Sequence, residues 1–98
     1  MYGHIAKLTT HPGKRSELVQ ILSRSAAKMP GCASYILAED PSDENILWIT
    51  ETWDNRQSHD ASLELRAVQE ATPLAKSLIA NLERIAETRP VWSAPPHA

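Results

Sequence analysis

The stretch ILWITETW, residues 46–53, decides how this chain folds. It is rich in β-branched and aromatic residues. The polar run Asp40-Pro41-Ser42-Asp43-Glu44-Asn45 precedes it and Asp54-Asn55 follows it, so it reads as a strand. A strand sends alternate side chains to opposite faces. One face here carries Ile46, Trp48, Thr50 and Thr52, and the other carries Leu47, Ile49, Glu51 and Trp53. A sheet with helices on one side and water on the other alternates apolar with polar residues. In this strand both faces hold large apolar groups, so both need cover.

Working outward, Asp40 to Asn45 is a turn of hairpin length, and Ala33 to Glu39 before it is a second strand. Further back, Pro30-Gly31 closes a helix that begins near Lys14, in which Leu18, Ile21, Leu22, Ala26 and Met29 recur at helical spacing. His11-Pro12-Gly13 is turn chemistry, and Tyr2 to Thr9 is the first strand. Beyond the quoted stretch, Asp54 or Asn55 caps a helix running to about Glu70. Thr72-Pro73 interrupts it, with Pro73 at the first position of a further turn over Leu74 to Ala80. Leu82 to Thr88 is a fourth strand.

The order β-α-β-β-α-β predicts an α+β chain, a ferredoxin-like split β-α-β-β-α-β with one antiparallel sheet. Residues 1–90 form that domain and residues 91–98, with Pro95 and Pro96, an extended C-terminal tail. Two helices cover one face of the sheet only. A second copy packed sheet to sheet is the simplest cover for the other, because an exposed apolar patch of that size promotes aggregation. The pattern therefore predicts a two-fold homodimer, a dimeric α+β barrel, with the tail folded back over the sheet as the alternative. In such a dimer each subunit keeps a cavity between its helices and its sheet.

A chain of 98 residues, 42% hydrophobic and 22% charged, has room for one core and the make-up of a soluble domain. Its net charge of −2 provides no electrostatic footprint for nucleic acid or an anionic membrane surface. An RNA-binding module with the same element order is disfavoured by the absence of Phe and of an aromatic central-strand motif. No apolar run approaches the roughly 20 residues that span a bilayer. Met1-Tyr2-Gly3-His4 lacks the basic and apolar regions of a secretory signal. Cys32, the single cysteine, leaves no internal disulfide and no cysteine-based metal cluster. The expectation is a cytoplasmic protein with no nucleic-acid and no membrane partner.

Four histidines are available for chemistry. His97 lies in the tail and His11 in a turn, and both are set aside. His4 shares a strand face with Tyr2, Ala6 and Leu8, which suits a hydrogen-bonded strand residue. His59 lies one turn into the second helix, six residues after Trp53, so both can face one cavity mouth. An imidazole, ordinarily titrating near pH 6.5, is suited to take a proton from a phenol; the same position suits a solvated helix histidine. Glu51 can order the site, pair with an arginine, or serve structure alone. Tyr35 can offer its phenol to a ligand or simply pack, and Cys32 reads as a small buried hydrophobe. No H-x-x-x-H or H-E-x-x-H spacing is present, and no G-x-S-x-G elbow. Gly3, Gly13 and Gly31 make no phosphate loop. No metal and no nucleotide or flavin cofactor is assigned. The residues by themselves specify a small dimeric domain with a pocket, and leave the reaction open.

The ordered set H-P-G-K at 11–14, P-G-C-A-S-Y at 30–35, E-D-P at 39–41 and E-T-W at 51–53 resembles the antibiotic biosynthesis monooxygenase family over roughly residues 2–90. W-D-N-R-Q-S-H-D-A-S-L at 53–63, P-L at 73–74 and E-R-I-A-E-T-R-P-V at 83–91 resemble its quinol monooxygenase branch. The resemblance implies the dimeric α+β barrel and a cofactor-independent oxygenase that uses O2 on a small aromatic substrate: a phenol, a quinol or an anthrone-like compound. By position, Trp53 matches the family's strand tryptophan and walls the pocket, and His59 matches the branch's helix histidine, as base or as hydrogen-bond partner of the phenol. Tyr35, His4, Glu51 and Ser62 are the further candidate substrate contacts. Ser62 stands where many relatives carry a further histidine. The Asn that haem-degrading relatives need on the first strand is missing between Met1 and Pro12, which argues against haem breakdown. Val91-Trp92-Ser93 replaces the branch's V-G-G ending, so Trp92 is placed to cap the partner's pocket or to pack the interface. Similar proteins include isomerases and members without demonstrated activity. A non-oxidative enzyme on a small metabolite with His59 as proton shuttle, and a non-catalytic ligand-binding dimer, are therefore the alternatives.

Overall fold

Strand β3 (Ile46–Trp53) pairs antiparallel with β1 (Tyr2–Thr10) on one side and with β2 (Cys32–Glu39) on the other. The structure, a computed structural model, describes residues 1–95, so Pro96, His97 and the end of the expected tail lie outside the described residues. The remaining elements are α1 (Arg15–Ser25), α2 (Arg56–Ser62), α3 (Arg66–Leu78) and β4 (Ile79–Thr88). β4 pairs antiparallel with the free edge of β1, giving the strand order β2-β3-β1-β4. This is the ferredoxin-like α+β arrangement that the element order predicts.

Register sorts the side chains. His4 lies opposite Glu51, Ala6 opposite Ile49 and Leu8 opposite Leu47. That face meets α1 and α3 through Leu18, Ala75 and Leu78 to form the core. Leu18, Leu47 and Trp53 are fully buried. The other face pairs Ile5 with Thr50, Lys7 with Trp48 and Thr9 with Ile46. No described helix covers it, and Ile36 of β2 on this face is 54% exposed. The Lys7 ammonium sits 5.7 Å from the centre of the Trp48 ring. Nor does the described part of the tail, residues 91–95, pack over this face: Val91 is 93% exposed and Trp92 79%. The sheet therefore has one packed and one open side.

Two local features fix where α2 begins. Asn55 accepts the Ser58 backbone N–H at 2.8 Å and so caps the helix, as the composition of that joint predicts. Gly31, at φ +82°, lies against the same turn: a Cβ there would stand 2.6 Å from Ser58 Oγ and 2.8 Å from Asp54 Oδ1. Only glycine suits both that backbone angle and that approach.

The helix boundaries differ from the expected ones. α1 ends at Ser25 rather than at Pro30-Gly31. The Ser23 and Ser25 hydroxyls turn back onto the Gln20 and Leu22 carbonyls, each at 3.1 Å, and such local bonds compete with helix propagation. The second helical region breaks at residues 63–65, not at Thr72-Pro73. There the N–H groups of Leu63, Glu64 and Leu65 reach back three residues to Asp60, Ala61 and Ser62, tightening α2 to a stop. Pro73 lies inside α3. It forfeits only the bond to the Gln69 carbonyl, and the Thr72 hydroxyl donates to Val68 O at 2.8 Å beside it. The turn expected over 74–80 is the end of α3 running directly into β4.

Candidate active site

Glu51 sits mid-strand on the packed face of β3, with His4 of β1 and Tyr35 of β2 directly across from it. Its side chain is only 13% exposed. A carboxylate so placed needs partners, because burying a charge without them is costly. Both of its oxygens have one. Oε1 accepts the Trp53 indole N–H at 3.1 Å. Oε2 lies 3.4 Å from His4 Nδ1. The first contact follows from strand periodicity, since residues 51 and 53 share a face. It also satisfies the N–H of a tryptophan that has no access to water.

α2 brings His59 down onto this group. Its ring stands edge-on to Trp53, with centroids 5.6 Å apart at 84°, and lies 5.7 Å from His4 and 5.2 Å from Tyr2. The side chain is 18% exposed, so it is a pocket residue and not a solvated helix histidine. Its Nδ1 lies 3.1 Å from Asp60 Oδ1, which leaves Nε2 as the ring nitrogen free of that contact. Ligating atoms of His4, Glu51 and His59 all fall within 4.8 Å of one another. Three separate elements supply them, so no spacing along the chain announces the cluster.

The cleft around this group has two lobes. One, of about 260 Å³, lies between the helices and the sheet and includes Leu22, Met29, Tyr35, Val68 and Ala75 in its walls. The other, of about 350 Å³, opens toward Tyr2, His4, Arg56, Arg84 and Glu87. Glu51, His59 and Leu82 line both, so the polar cluster stands where the lobes meet. Ser62 lines the first lobe, and its hydroxyl donates to the His59 carbonyl at 2.6 Å. Trp53 lines neither. It stands behind Glu51 and His59 and meets the cleft through them.

Burial, reinforced by the Glu51 charge, holds the Tyr35 phenol well above its ordinary value of about 10. It is thus a neutral hydrogen-bond donor across the physiological range. Burial and then Glu51 also push the Cys32 thiol up. Tyr2 is raised by burial and by Glu87, whose Oε1 accepts its hydroxyl at 3.3 Å. Arg84 and Glu87 were not singled out in the sequence. A register shift in the pairing of β4 with β1, between Ile5 and Ala6, leaves both lining the cleft, and strict alternation does not predict that. Asp60 follows His59 directly in the chain, and adjacency alone assigns it no role.

The family model for antibiotic biosynthesis monooxygenases matches residues 1–73. The chain belongs to this family. A protein from Chloroflexus aurantiacus, described as a candidate antibiotic biosynthesis monooxygenase, is 47% identical, with a TM-score of 0.92 and 96% of each chain covered. Similarly described structures from Nitrosomonas europaea (12% identity, TM-score 0.84, 94% of this chain and 100% of that one) and Deinococcus radiodurans (22%, 0.78, 100% of both) share the fold. No curated protein sequence matches significantly. Among the described residues no helix is long and apolar enough to cross a membrane.

The raised phenol of Tyr35 makes stability pH-dependent with a definite sign. Above about pH 10 the unfolded chain ionises this tyrosine while the folded chain keeps its proton, so stability falls as pH rises, by up to about 1.4 kcal/mol per pH unit. Urea midpoints measured from pH 9 to 11 should fall less steeply in Tyr35→Phe than in the wild type. Equal slopes would show that the phenol is not held up in the fold.

Proposed function

We propose that the protein is a cofactor-independent monooxygenase that oxidises quinols or related electron-rich aromatic compounds with O2, working as a homodimer in the cytoplasm. The observation that carries this reading is His59, set beside Glu51 and His4 at the junction of two largely apolar lobes. Family membership supports monooxygenase chemistry, and the cleft supports a flat aromatic substrate with one polar edge. The division into a domain of residues 1–90 and a tail of residues 91–98 belongs to the same reading.

In this mechanism His59 Nε2 takes the phenolic proton, and its Nδ1–H stays on Asp60. Glu51, a few ångströms away, stabilises the imidazolium that forms. The Tyr35 phenol and His4 are available to hydrogen-bond the substrate oxygens. Apolar walls exclude bulk water, so the phenolate is a better electron donor than in solution. One electron passes to O2, giving superoxide and a substrate radical. Their recombination forms a carbon–oxygen bond, and the imidazolium returns its proton to the peroxide. Loss of the hydrogen on that carbon with cleavage of the O–O bond leaves a carbonyl and one water. The balance is substrate plus O2 to a product with one more oxygen and two fewer hydrogens, plus water.

The open sheet face supports the dimer. Ile5, Ile36, Ile46, Trp48 and Thr50 lie on the side away from the cleft, so a second copy can cover them without blocking substrate.

Oxygen uptake by chelator-treated protein with a panel of quinols and anthrones should exceed autoxidation. It should fall at least tenfold in His59→Ala, about 1.4 kcal/mol of barrier. Uptake unchanged by the substitution would remove His59 as base. Turnover that persists without O2 would point to an isomerase-type reaction, and binding without turnover to a non-catalytic module. Sedimentation equilibrium should give twice the chain mass for the wild type and a shift toward one chain for Trp48→Glu. A wild type that stays at one chain mass at every concentration would exclude the dimer.

A further inference from the structure

We propose that His4, Glu51 and His59 form a binding site for one first-row divalent cation, of which Zn2+ fits best. Two imidazoles and one carboxylate are a donor set that holds Zn2+ with a fourth position open. The distances agree. Zn–N and Zn–O bonds of about 2.0–2.2 Å in a tetrahedral shell put neighbouring ligand atoms about 3.4 Å apart. His4 Nδ1 and Glu51 Oε2 are already separated by 3.4 Å, long for a hydrogen bond but right for two ligands of one ion. The pairing of β1 with β3 fixes that separation, because residues 4 and 51 are direct partners in the ladder. The whole set lies within 4.8 Å, so a shift of the His59 ring on α2 by roughly 1–2 Å closes the shell.

The surrounding contacts suit ligands. Asp60 Oδ1 lies 3.1 Å from His59 Nδ1. A carboxylate on the far nitrogen of a metal-bound histidine fixes its tautomer and raises its basicity. The Trp53 indole occupies Glu51 Oε1, leaving Oε2 as a single donor oxygen beside His4. All three residues line the lobe that opens toward Tyr2 and Arg84, so water or a substrate oxygen could reach an ion held there.

On the oxygenase reading above, the cation takes the lone pair that His59 needs as base, so Zn2+ is an inhibitor there and not a cofactor. Binding itself does not depend on that reading and is measured without substrate.

The test is titration of chelator-treated, full-length protein with Co2+, followed by its visible absorption, and with Zn2+ in competition with a chromophoric chelator. The expected result is one equivalent per chain, with a four-coordinate Co2+ spectrum. Affinity should weaken ~10–100-fold in Asp60→Asn and more in His59→Ala. It should be unchanged in His11→Gln, which removes the described histidine outside the cluster. His59→Ala alters an α2 side chain outside the main core, so it keeps the test valid where Glu51→Gln fails to fold. No saturable binding, or binding lost in His11→Gln and retained in His59→Ala, overturns the proposal. Binding that persists while O2 uptake proves absent would sustain the site and reject only the oxygenase reading.

Discussion

A single, largely enclosed carboxylate organises this molecule. Glu51 stands in the middle of the central pair of strands, on the side packed against the helices, where a charge is costly unless it is partnered. Trp53 and His4 are those partners, and each is positioned by the simplest rules of the sheet: one by the two-residue period along β3, the other by the register with β1. The rest of the site takes its character from that charge. It helps to hold the Tyr35 phenol neutral and to raise the Cys32 thiol. It faces the one histidine that α2 supplies, and so sets what that imidazole can do, as a base in the proposed oxidation or as a ligand to a cation. Replacing Glu51 by an apolar residue would strip the indole N–H and the His4 ring of their shared acceptor.

The two sides of the sheet divide the labour. The helix side holds the core and, toward β1 and β4, a cleft whose lobes meet at His59 and Glu51. The opposite side presents Ile5, Ile36, Ile46 and Trp48 with no described helix or tail over them. Association through that side and chemistry on the other need not compete for surface. The apolar pattern of the third strand thus divides in two: Leu47, Ile49 and Trp53 serve the core, and Ile46 and Trp48 lie on the open face that the proposed dimer would cover.

Much of this was legible in the sequence. Residues 46–53 form the predicted strand, the element order and sheet class follow from turn chemistry and apolar spacing, and Asn55 caps α2 as its residue type suggests. Helix ends were less legible, because backbone competition by Ser23 and Ser25 and the tight turn at Leu63–Leu65 are decided by single hydrogen bonds that periodicity does not register. Trp53 and His59 do meet edge-on, but Trp53 is buried behind the cleft and does not wall it as the resemblance implied. The assembly of His4 with Glu51 was not legible, since their meeting depends on strand register across 47 residues of chain. Asp60 beside His59 looks trivial in the sequence and matters only once Nδ1 is seen to face it.

The most direct measurement is the fate of oxygen. Purified protein would be given an anthrone or quinol under 18O2 in unlabelled water, with rapid quenching and mass analysis of the product. Oxygenation of the bound anion predicts one labelled oxygen per product molecule and the other in water. Enzyme-dependent product without the label, or equal turnover under argon, would contradict it.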